Sequence, residues 1–132
     1  MKIKVIVLAI LFTVCFMPEG TVSEAVVANR LISVNKNSWT IHGTYTKSFT
    51  DQSFPVKNVS MPGLYNTCTG HVRAEFTGGW TQVTVDKDMN RGSDYSLLAN
   101  TTINTGVRVS FRLKGKSSWT STWDDFRLHF TF

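Results

Sequence analysis

Cysteine is nearly missing from this chain: there are two in 132 residues, Cys15 and Cys68. A disulfide framework of the kind that holds small exported domains together is therefore excluded. Also missing are Cys-x-x-Cys, His-Glu-x-x-His, Gly-x-Ser-x-Gly and a glycine-rich loop leading into a helix. Their absence removes the common zinc, metalloprotease, serine-hydrolase and nucleotide-binding signatures. Charged side chains make up only 17% of the chain, against the usual quarter. Acids are the scarcer sign, 9 against 14 Lys and Arg, for a net charge of +5. No apolar run approaches the roughly 20 residues that span a bilayer as a helix. At this length one domain is expected.

What is present begins with a leader. Lys2 and Lys4 precede the apolar stretch Val5–Phe16, which only Thr13 interrupts, and Pro18 and Gly20 then break the helix. Ser23 and Ala25 supply the small residues of a cleavage site, so residues 1–25 read as a cleaved signal peptide and residues 26–132 as the functional domain. A cut after Ala28 satisfies the same rule. The expected location is outside the cell, and the Lys-led signal with so little cysteine leans toward a bacterial producer. Cleavage removes two charges of each sign together with Cys15, leaving a mature chain of net charge +5. Cys68 then stands alone, read as a buried small hydrophobe, with intermolecular pairing as the alternative.

Beyond Ser38 the apolar residues alternate with polar ones, the period of a strand with one wet face. Val107, Val109, Phe111 and Leu113 oppose Arg108, Ser110, Arg112 and Lys114. Val72, Ala74 and Phe76 oppose His71, Arg73 and Glu75. Val83 and Val85 oppose Gln82, Thr84 and Asp86, and Gly78-Gly79 reads as a hairpin turn before them. Trp39, Ile41 and Tyr45 alternate with Thr40, His42 and Thr44. The chain closes on Phe126, Leu128, Phe130 and Phe132, a strand whose apolar side requires a central, well-packed place. Weaker strands are expected over Leu31–Val34, Phe54–Val59 and Tyr95–Ile103. Reversals are expected at Asp51–Ser53, Met61–Gly63, Asp88–Gly92 and Lys114–Ser118. The fold class is all-β, a single antiparallel β-sandwich with jelly-roll character.

The candidate chemistry lies in aromatics and cations. Trp119 and Trp123 flank a Ser/Thr-rich stretch, and Trp80 opens a strand; Trp side chains stack on the apolar faces of sugar rings while polar neighbours bind the hydroxyls. The segment Asp124–Leu128 resembles the closing strand of carbohydrate-binding jelly rolls. Trp80, Trp119, Trp123, Asp125 and Arg127 are therefore the candidate ligand-binding set. Arg73, Arg108 and Arg112 share the polar phase of two strong strands, with Arg127 and His129 in the same phase of a third; adjacent strands would make a basic face for teichoic acid, acidic polysaccharide or anionic lipid. His42, His71 and His129 could bind metal only if three separate strands met, so neither metal nor cofactor is expected. Adjacent Asp124 and Asp125 point to opposite faces of a strand and cannot act as a glycosidase pair.

The leading expectation is a secreted, non-enzymatic binding protein for an anionic or neutral extracellular glycan. The alternatives are a cationic, membrane-active toxin or antimicrobial acting on anionic membrane surfaces, and a matrix or fibre subunit joined through Cys68 or an open strand edge. Nucleic acid is not an expected partner. Asn58-Val59-Ser60 and Asn100-Thr101-Thr102 match the N-glycosylation pattern.

Overall fold

The computed structural model describes residues 26–59 and 63–132. The expected leader and cleavage site lie outside the described residues, as do Met61 and Pro62 of one expected turn. Among the described residues nine strands follow in order: β1 (Val27–Asn35), β2 (Thr40–Thr46), β3 (Asp51–Val59), β4 (Thr67–Phe76), β5 (Gly79–Gln82), β6 (Lys87–Asn90), β7 (Asp94–Ile103), β8 (Arg108–Lys114) and β9 (Trp123–Thr131). One sheet runs β1-β9-β3-β7; the other runs β2-β8-β4-β5, with β6 also on β4. All pairings are antiparallel. Successive long strands cross between the sheets, the double Greek key of a jelly roll.

The alternation explains why these layers close. Phe54, Phe111, Phe126, Phe130, Leu113 and Leu128 are fully buried between the sheets. Phe130 of β9 stacks on Phe111 of β8 at 4.6 Å and on Phe54 of β3 at 5.7 Å. The closing strand is central, held between β1 and β3, because its inward row of aromatics spans the seam. Cys68 is wholly buried, and burial pushes its thiol pKa up to about 12. Joining two copies through Cys68 would require opening the core.

Four details depart from the alternation. At β2 the register slips between Ile41 and Gly43, a bulge that turns His42 into the core and leaves Ile41 exposed. Tyr45 folds back over Gly43, where any Cβ would collide with its ring and hydroxyl. The expected reversal at Asp88–Gly92 begins with a strand: Met89 is buried and pairs across from Cys68, and the chain turns only at Arg91–Gly92, with Gly92 at φ +79°. The expected strand at Val83–Val85 ends early; Thr84 bridges to Ala99 in the other sheet and Val85 is exposed. Asp51–Ser53 belongs to β3 and carries its register slip. The Asn58 sequon is closed in this fold, since its amide is buried and donates to the Met89 carbonyl.

Inward-turned His42 makes the fold acid-sensitive. Its Nε2 lies 2.9 Å from the Leu128 carbonyl and its Nδ1 2.8 Å from the Tyr45 hydroxyl. Burial lowers its pKa from 6.5 to about 4, outweighing the Leu128 bond. The unfolded chain therefore takes up the proton first. Stability is full above pH 6.5 and falls as pH drops toward 4, by about 3 kcal/mol from this group. Urea titrations across that range, paired with an NMR titration of the His42 ring, check this; a ring titrating near 6.5 would contradict it.

Candidate functional site

The outer face of the five-stranded sheet is built in rows. Arg112 of β8 lies across from His71 of β4 and Ile41 of β2; Ser110 lies across from Arg73 and Thr44; Lys114 lies across from Thr69. On the far side of β4, Trp80 pairs with Glu75 and Gln82 with Arg73. Alternation sends all these side chains outward while Val109, Phe111 and Leu113 fill the core. Successive rows are about 6.6 Å apart.

The rows enclose a pocket of about 290 Å³ lined by Ile41, Thr44, Arg73, Trp80, Arg108, Ser110 and Arg112. Small Ser110, between two arginines on one strand, forms its floor. Arg108 is already neutralised: it binds Glu75 at 2.8 Å and lies over the Trp80 ring at 5.6 Å. Arg73 is tethered to the Trp80 carbonyl at 3.0 Å. Among the described residues neither Arg73 nor Arg112 makes an ion pair, and the Arg112 Nε is buried without a hydrogen-bond partner. Burial, and then the charge of Arg73, pull the Arg112 pKa below the ordinary arginine range. Two cations thus meet without an anion between them. That geometry suits a carboxylate, sulfate or phosphate ester, which would accept their N–H groups and relieve their repulsion.

His71 continues this face. Its ring lies beneath Trp39, centroids 4.0 Å apart, and Nδ1 meets Asp86 at 2.9 Å. Nε2 is buried without a partner among the described residues. Burial lowers the His71 pKa, with Asp86 acting in the opposite direction, so the ring is neutral at pH 7.

The candidate set read from sequence is divided by the fold. Arg73, Arg108 and Arg112 lie together, with Trp80 beside them. Trp123, Asp125 and Arg127 belong to β9 and face outward from the other sheet. Two packed sheets, each about 10 Å from the next, separate them from Trp80, and His129 goes with them. Asp125 instead accepts from Ser33, and Arg127 donates to Asn29 at 3.1 Å. Trp119 is in the core rather than on any surface: only 4% exposed, it stacks on Tyr65 at 4.6 Å and on Phe126 at 5.8 Å. Asp124, behind Asp125, accepts from the Tyr65 N–H at 2.9 Å and from Arg91 at 3.1 Å, so the adjacent acids do diverge. Among the described residues no group of three or more His, Cys, Asp or Glu could hold a metal ion. Sequence reading missed Ser110 and Thr44; the small residue between Arg108 and Arg112 was the available signal for a depression.

No protein family matches the chain, and no curated protein matches it. Among solved structures it is similar to the crystal structure of PirA, with a TM-score of 0.49 and 12% identity over 79% of this chain and 93% of that one.

Proposed function

We propose that the protein is a secreted, non-enzymatic binding module for an anionic extracellular glycan, held in the pocket of Arg73, Arg108, Arg112 and Trp80. The observation that carries this reading is the juxtaposition of Arg73 and Arg112 without a carboxylate, beside an aromatic wall. An acidic sugar satisfies both halves: its anionic group takes the guanidinium donors and its ring packs on Trp80. Thr44 and Ser110 supply hydroxyls for the sugar's own. The glycan site is thereby narrower than the sequence suggested, excluding buried Trp119 and leaving Trp123, Asp125 and Arg127 on the opposite face.

Calorimetric titration of the purified protein with heparin, with neutral dextran and with anionic liposomes tests the reading. Heparin is expected to bind, more weakly as salt rises, and dextran not to bind. Heparin left unbound at low salt while liposomes are bound would replace the glycan reading with the membrane-directed one. Binding to none would remove both.

A further inference from the structure

We propose that the same sheet face carries a second sugar subsite, at Trp39 and Lys114, so that the ligand is an acidic chain of several sugars laid along β8. This rests on the glycan reading of the arginine pocket. A second pocket, of about 400 Å³, lies on this face, lined by Lys36, Trp39, Thr69, Asp86, Lys114 and Lys116 among others. It repeats the first in kind: one tryptophan, flanking cations and small hydroxyl side chains. Its charges are partly spent, since Lys116 holds Asp88 at 2.7 Å and Asp86 faces His71 and the Gln82 amide. Lys36 donates to the Trp119 carbonyl at 2.8 Å. Lys114 makes no ion pair among the described residues and lies 5.9 Å from the Trp39 ring centre.

The two pockets are joined through the row of Arg112 and His71, which are cross-strand neighbours. Both carry a buried nitrogen without a partner among the described residues. From the row of Arg73 and Ser110 to that of Thr69 and Lys114 is four residues, about 13 Å. One pyranose ring cannot reach across that interval, whereas an oligosaccharide can. Its acidic group at one end would meet Arg73 and Arg112, and a later sugar would stack on Trp39 with its own acidic group toward Lys114. Asp86 would accept a hydroxyl there, and it would also select against a second anion placed on its side of the pocket.

Heparin oligosaccharides of graded length, from disaccharide to octasaccharide, provide the test. Affinity is expected to rise at least tenfold between the disaccharide and the longer chains. Trp39→Ala and Lys114→Ala are each expected to remove most of that gain while leaving disaccharide binding unchanged; retained disaccharide binding also shows that the variants are folded. If the octasaccharide binds no tighter than the disaccharide, or if Lys114→Ala leaves the length dependence intact, the second subsite falls and the arginine pocket stands. If no length binds, the glycan reading falls with it.

Discussion

The double variant Arg73→Ala/Arg112→Ala is expected to lose heparin binding by more than a hundredfold while losing only about 1 kcal/mol of stability, the hydrogen bond from Arg73 to the Trp80 carbonyl. A hydrogen bond to a charged group contributes about 1.5–3 kcal/mol, and 1.4 kcal/mol is a factor of ten in affinity. Each arginine alone should therefore cost roughly ten- to hundredfold. Stability should lose little more, because Arg112 projects from the outer face, its Nε has no partner among the described residues, and the charge of Arg73 repels it. Removing it relieves a like-charge contact and leaves the core of Val109, Phe111 and Leu113 in place. Arg127→Ala, on the outer face of the other sheet, should leave heparin affinity within a factor of two or so of the parent. Equal losses from Arg127 and from Arg112 would mean that binding follows net charge alone, and the pocket would have no special place.

The converse pattern is expected of Trp119. Trp119→Ala should lower unfolding stability by about 3–5 kcal/mol, the usual cost of deleting a buried large aromatic, while heparin affinity of the folded protein stays unchanged. The ring is the middle layer of a stack between Tyr65 and Phe126. It also closes over Gly115, where a Cβ would come within 2.5 Å of it. Its loss opens a cavity at the end of the sandwich and frees the Tyr65 ring, whose hydroxyl accepts from the Ser121 N–H at 2.6 Å. A typical domain has only 5–15 kcal/mol in hand, so the effect should be plain in a urea titration. Normal stability with lost binding would return Trp119 to the ligand surface.

These two variants also mark where sequence reading succeeds and where it stops. Alternation is local: each strand's own residues decide which side is wet. The phases of Arg73, Arg108 and Arg112, and the aromatic row of β9, were therefore legible. That β8 pairs with β4 and β9 does not is decided by long Greek-key connections, which leave no local trace. Arg127 shared the right phase and still landed on the other sheet. His42 was lost for a different reason. A bulge shifts the phase by one residue, and its cue was Gly43 within a strand. Trp119 lies in a loop without periodicity, where burial depends on what packs over it. β6 is four residues long, and one inward side chain, Met89, gave no alternation to count.

Ligand is expected to bind on the face of Arg73, Arg112 and Trp80. Backbone amide shifts recorded by NMR during titration with a heparin disaccharide, too short to fill the Trp39 pocket as well, are the most direct test of this. Saturating shifts are expected, confined to β2, β4, β5 and β8 around Thr44, Arg73, Trp80, Ser110 and Arg112, with Trp123–Arg127 unmoved. Shifts centred on Trp123, Asp125 and Arg127, or weak non-saturating shifts spread over every lysine and arginine, would contradict it.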